Sequence, residues 1–209
     1  EVSLSDKFVL SAIKGLIPGD CRSITEYMHD EYGLCHGQLG VVSGPSHAED
    51  VIRGHSTYLC LACADSDNKK VLMECFRTPF LMLGSSPDLH GVELAGVLKN
   101  VYSIASGMVT GLGMGDNFLA TFVSSCAREM DTILETIHPC PRNIMRPEYL
   151  GDLLVTCYSS YSRNRRLGQL IGRGCSVKSA LSEMTMIAEG YYAAEGVKKL
   201  KGSGLVAMP

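Results

Sequence analysis

"GVELAGVLKNVYSIASGMVTGLGMGDN", residues 91–117, is apolar on nearly every side of a helix and closes in a glycine-studded turn. On a 3.6-residue wheel, Leu94, Leu98, Val101, Ala105 and Met108 form one apolar stripe. Lys99 projects from the other side, among Ala95, Ser103 and Ser106. A helix apolar nearly all round belongs in a core. An unpartnered lysine there is costly and tends to shed its proton near neutral pH, which is what a general base needs. The competing reading is a lysine that snorkels to water or pairs with a carboxylate. Lys99→Met keeps length and apolarity, so the helix should tolerate it with stability unchanged or slightly raised.

Before this helix the chain alternates. "KFVLSAIKG" (7–15) reads as a strand, "SITEYMHDEYG" (23–33) as a helix, and "LGVVSGPSHAEDVIRG" (39–54) as strand, Gly-Pro turn and helix. Ser46 and Glu49 have the spacing of a capping box at that helix start. "STYLCLACA" (56–64) is the next strand, "SDNKKVLMECFRT" (66–78) the next helix and "FLMLGSS" (80–86) a short last strand. The alternation predicts the edge of a parallel α/β sheet over residues 1–90. From residue 91 the strand signal fades. Helices are predicted over 91–110 and 116–136, in a stretch after 147, and over 176–200, with "HPCPRNIMRP" (138–147) as a Pro-rich link. The tail "KGSGLVAMP" (201–209) reads as frayed. The expected architecture is an α/β part, residues 1–90, followed by an all-α domain, residues 91–209.

Composition narrows the function. The formal charge of -3 over 209 residues argues against a general nucleic-acid binder. No run approaches the ~18 apolar residues of a membrane span, so no membrane insertion is expected. The chain begins without Met and without a signal-peptide pattern, and reads as a piece of a longer protein. Nine scattered cysteines fit free thiols in a reducing cytoplasm. Cys60 and Cys63 lie in a strand pattern, where side chains three apart face opposite ways and make a poor metal clamp. The six histidines show neither i, i+4 pairing nor H-E-x-x-H, so they read as structural or exposed and no metal is expected.

Further polar residues gain meaning in combination. Lys14 closes a strand, and ligands in α/β folds sit beyond strand carboxyl ends. Gly44, Ser46 and Ala48 lie where a strand gives way to a helix, a place that suits an anion. Asp152 stands upstream of Ser162, Arg163 and Asn164, which read as a Ser-rich turn able to fork onto phosphate. Each of these has an ordinary alternative as a solvated loop or turn.

Together, "SAIKG" (11–15), "SGPSHAEDV" (43–51), the Lys99 stretch, "GDLLVTCYSSYSRNRR" (151–166) and "AEGYYAA" (188–194) resemble NAD(P)-dependent glycerol-3-phosphate dehydrogenases of the bacterial type, in order and spacing, over residues 8–200. The resemblance implies a Rossmann-type nucleotide domain followed by a helical substrate domain. It implies Lys99 as the proton acceptor from the C2 hydroxyl, in an enzyme that interconverts glycerol 3-phosphate and dihydroxyacetone phosphate for phospholipid synthesis. The implied substrate contacts are Lys14, Gly44, Ser46, Lys99, Asp152, Ser162, Arg163 and Asn164. The implied contacts to NAD or NADP are Lys14, Ala48, Arg163, Ile187 and Glu189. Asn100 and Thr156 match positions near the substrate. A homodimer and a cytoplasmic location come with the family. One departure stands out: no G-x-G-x-x-G lies between a strand and a helix, so the chain by itself is expected not to turn over. The alternatives are a hydroxyacid dehydrogenase of the same plan, similar to 6-phosphogluconate dehydrogenase, and a non-catalytic helical dimerisation module.

Overall fold

A computed structural model describes residues 3–202 of the chain. The expectation for residues 203–209 lies outside them. The order is β1 (Val9–Ser11), α1 (Ile24–Tyr32), a 3₁₀ turn (His36–Gln38), β2 (Leu39–Ser43), α2 (Ala48–Ile52), β3 (Thr57–Cys63), α3 (Ser66–Cys75) and β4 (Leu81–Ser86). Then come α4 (Leu89–Gly111), α5 (Gly115–Ile137), a π-helical turn (Pro147–Gly151), α6 (Asp152–Tyr158), α7 (Arg163–Gly172), α8 (Val177–Ser182) and α9 (Glu189–Gly202).

The four strands lie in chain order. The sheet is mixed rather than parallel: β1 runs with β2 and β3 with β4, but β2 and β3 are antiparallel, with Gly40 opposite Cys63. The reason is the length of α2. Five residues of helix advance about 7 Å, against about 16 Å for a five-residue strand. The chain therefore enters β3 from the end where it left β2.

Local chemistry also departs from the expected capping. Ser46 does not cap α2; its hydroxyl donates to the Gly44 carbonyl, and His47 takes the cap position without a side-chain bond. The capping box forms instead in α1, between Ser23 and Glu26. The stretch expected to be one helix over 176–200 is two, because the Asn164 amide oxygen accepts the Gly190 N–H and starts α9 afresh. The Ser-rich turn opens a helix: the Ser162 hydroxyl accepts from the Arg165 N–H, and α7 runs ten residues from Arg163.

The main apolar cluster runs through Leu39, Val41 and Ala62 of the sheet, Val92 and Leu98 of α4, Met130 and Leu134 of α5, and Leu153 of α6. Helix α4 is buried all round, but not as its stripe suggested. Leu94 and Leu98 are buried, whereas Val101, Ala105 and Met108 are half-buried. Ser103 and Ser106, on the lysine side, are fully enclosed. Glycine allows this. A Cβ on Gly107 would stand 2.1 Å from the Arg165 carbonyl oxygen, and one on Gly168 would stand 1.9 Å from that of Ile104. Gly111 and Gly172, one turn further along, face each other's backbones in the same way. Helices α4 and α7 therefore meet backbone to backbone through two glycine pairs four residues apart.

Candidate active site

The lysine of the opening stretch has a partner. The Lys99 ammonium forms an ion pair with Asp152 Oδ1, and both side chains are nearly enclosed, at 9% and 2% exposure. Asp152 begins α6, directly after the π-helical turn, so the turn sets its direction. Its second oxygen, Oδ2, accepts from Ser43 Oγ and from the Gly44 N–H, both at 3.3 Å. One buried carboxylate thus ties the end of β2 to the middle of α4. Gly44 must be glycine: its φ is +120°, and a Cβ would meet the Tyr58 carbonyl oxygen at 2.9 Å.

Around this pair a network of hydrogen bonds joins α4, α6 and α7. Thr156 Oγ1 donates to the Asp152 carbonyl at 2.6 Å. Ser103 bonds the Thr156 carbonyl and the Ser162 hydroxyl, each at 2.8 Å. Asn100 Nδ2 donates to the Lys14 carbonyl at 3.2 Å. Lys14 itself makes no side-chain hydrogen bond among the described residues. Burial lowers its pKa, and the Lys99 charge lowers it further, against the pull of Asp152. The Arg163 guanidinium is exposed at the mouth, without an ion pair or hydrogen bond among the described residues.

These residues line a cleft of about 500 Å³ between the carboxyl ends of β1 and β2 and helices α4, α6 and α7. The structure brings together Lys14, Gly44, Ser46, Ala48, Lys99, Asn100, Asp152, Thr156, Ser162, Arg163, Asn164 and Glu189. Ile187 falls outside; it is exposed and lines a neighbouring groove along α9 with Gly15 and Tyr192. His47 and Tyr161 line the cleft although sequence reasoning passed over them. Both lie inside stretches already singled out, and a six-histidine tally by spacing alone could not find the first. The His47 Nε2 is buried without a hydrogen-bond partner, and its ring meets Tyr161 edge-on at 6.3 Å. Burial, then the Lys99 charge, lowers the His47 pKa.

The family model described as "NAD-dependent glycerol-3-phosphate dehydrogenase C-terminus" matches residues 88–209, and its N-terminal counterpart matches residues 2–69. The chain belongs to the NAD-dependent glycerol-3-phosphate dehydrogenase family. It is 37% identical over 206 residues to the glycerol-3-phosphate dehydrogenase [NAD(P)+] of Staphylococcus carnosus and 36% identical to that of Staphylococcus epidermidis. Both alignments cover 98% of this chain and 62% of the relative, so the chain spans under two thirds of those proteins. The crystal structure of the glycerol-3-phosphate dehydrogenase from Coxiella burnetii superposes with a TM-score of 0.90 at 31% identity, over 96% of this chain and 61% of that one. The enzyme from Saccharomyces cerevisiae gives 0.81 at 25% identity, over 94% and 60%. The mixed sheet and the helices after it are thus a fold seen in glycerol-3-phosphate dehydrogenases. The hydroxyacid-dehydrogenase and dimerisation-module readings are not favoured.

Proposed function

We propose that this chain carries the substrate site of a glycerol-3-phosphate dehydrogenase, with residues 91–209 as its helical substrate domain and residues 1–90 as part of its nucleotide domain. The observation that carries the proposal is the Lys99–Asp152 pair on the cleft floor, with Arg163 free at the mouth. The phosphate of glycerol 3-phosphate is held by Arg163 and the first amides of α7, where guanidinium and helix dipole both favour an anion. Asn164 keeps this end in place through Gly190. The three-carbon chain then reaches inward to Lys99.

In the oxidising direction, the ion-paired Lys99 ammonium first releases its proton to solvent; the C2–H bond then breaks with its electron pair leaving as hydride, while the hydroxyl proton passes to the freed Lys99 Nζ and a ketone forms. In reverse, the Lys99 ammonium returns that proton to the C2 oxygen. Asp152 fixes the amine and offsets the charge that it gains. Ser43 and Gly44 hold Asp152 in turn, so the proton carrier is positioned by β2 as well as by its own helix. NAD or NADP, when bound, supplies the hydride acceptor. The donor set at the mouth fits the reacting end of such a dinucleotide, because Arg163 and Lys14 present N–H donors, without hydrogen-bonded partners among the described residues, to its carboxamide and ribose oxygens. Ala48 and Glu189 border the same opening. No residue of this chain is assigned to the pyrophosphate. A cytoplasmic setting is supported by the nine cysteines, all free. Among the described residues no helix is long and apolar enough to cross a membrane.

A second reading exchanges the lysines, with Lys14 moving the proton and Lys99 only clamping the substrate. It is favoured by the lowered Lys14 pKa and the missing hydrogen bond.

A competition experiment tests the proposal. The 209-residue chain is titrated with glycerol 3-phosphate and dihydroxyacetone phosphate, with 6-phosphogluconate and free glycerol as competitors. Saturable binding of the first two is expected, with little displacement by either competitor. Arg163→Ala should weaken both by about tenfold or more, the loss of one charge-assisted fork costing ~1.5–3 kcal/mol. Equal binding of 6-phosphogluconate, or an unchanged affinity in Arg163→Ala, would overturn the assignment.

A further inference from the structure

The second concentration of chemistry lies away from the cleft, at the start of α4. His90 is nine residues before Lys99, about 13 Å along the helix. Its ring stacks on that of His138, just past the end of α5, at 4.7 Å between centroids. His36, from the 3₁₀ turn, meets His90 edge-on at 5.2 Å. Glu26 of α1 completes the group, with Oε1 at 3.6 Å from His138 Nε2. One ligand atom from each of Glu26, His90 and His138 lies within 4.8 Å of the others, the only such triad among the described residues. Spacing along the sequence could not reveal it, because the three come from three different helices or helix ends.

We propose that Glu26, His90 and His138 form a site for a divalent transition metal of the zinc class. The donors are two imidazoles and one carboxylate, a set that zinc accepts with a fourth position left for water. Bonds of about 2.0–2.2 Å place tetrahedral ligands about 3.4 Å apart. The three ligand atoms already lie within 4.8 Å of one another, not far beyond that spacing. The carboxylate is already oriented: Glu26 Oε2 accepts the Ser23 N–H at 2.8 Å in the α1 capping box, which leaves Oε1 toward the histidines. His90 Nδ1 is buried with no hydrogen-bond partner, an otherwise costly state that a metal or a metal-bound water would relieve. Nearby Arg142 does not repel the ion strongly, because Asp88 pairs with it at 2.9 Å. A bound ion would join α1, from the sheet part, to both long helices.

Cobalt titration of the reduced 209-residue chain separates this site from its nine thiols. One equivalent of Co²⁺ is expected to give visible d–d bands of a four-coordinate nitrogen–oxygen site without the ultraviolet thiolate-to-cobalt band. His138→Gln, at a half-buried helix end where far-UV dichroism should show the fold retained, is expected to weaken binding by about tenfold or more. His90→Gln and Glu26→Gln should act in the same direction. Zinc should raise the Tm of the wild-type chain and not that of His138→Gln. Equal affinity in wild type and His138→Gln, or a thiolate band at the first equivalent, would overturn the proposal.

Discussion

At the scale of single residues, the Lys99–Asp152 pair organises the account, and it changes what a substitution does. Lys99→Met would be harmless in an apolar pocket, but here it strands a buried carboxylate whose other contacts are Ser43 and Gly44. Removing one partner of a buried pair costs about 3–5 kcal/mol. Lys99→Met should therefore lower unfolding free energy by that order in urea titration, and Lys99→Met with Asp152→Leu should recover most of it. A stable single variant would mean that the pair is not formed. Lys14 gives a second prediction. It is faced by Lys99 from α4 and Asp152 from α6, and Glu189 of α9 approaches Gly15 beside it. Its pKa in the folded chain lies below the 10.5 of the unfolded one. Between the two values the unfolded chain binds more protons, so stability should rise with pH through that window. The handicap is fully present below the folded value and gone above 10.5. Lys14→Met should remove this slope in urea titrations from neutral to alkaline pH, and an unchanged slope would contradict the assignment. Sequence made Lys99 visible because a charge inside a long apolar run is conspicuous. It hid the partner, because Asp152 lies 53 positions away and only the fold closes that distance.

At the scale of elements, the crossing of α4 and α7 decides whether the site exists. Ser162, Arg163 and Asn164 open α7, and the helix approaches Lys99 only because Gly107, Gly111, Gly168 and Gly172 let two backbones touch. Gly168→Ala should cost about 1–3 kcal/mol or more through overpacking. It should also weaken phosphate-ester binding, because α7 must move away from α4. Unchanged stability and binding would show that the crossing tolerates separation. The long helices were legible, since α4 and α5 carry their periodicity over 23 residues each. Helix α7 was not: "SRNRRLGQL" looks like a basic turn, and its helical state rests on the Ser162 cap and on burial of Leu167. The antiparallel β2–β3 step was equally hidden, because strand direction follows from a helix too short to cross back rather than from either strand's residues.

At the scale of the whole molecule, the sheet and the helices share one apolar cluster, and the cleft sits where they meet. Neither part makes the site alone: the sheet part supplies Lys14, Gly44 and Ser46, and the helices supply Lys99, Asp152 and Arg163. Most of these residues were legible because five short stretches kept a recognisable order. His47 and Tyr161 were missed because their roles arise from packing against each other across the cleft. A crystal structure of the chain with dihydroxyacetone phosphate decides whether Lys99 is the proton carrier. The phosphate should lie on Arg163 and the α7 N-terminus, with the C2 oxygen within about 2.6–3.2 Å of Lys99 Nζ. A C2 oxygen held by Lys14 with Lys99 turned to the phosphate, or a ligand bound outside this cleft, would contradict it.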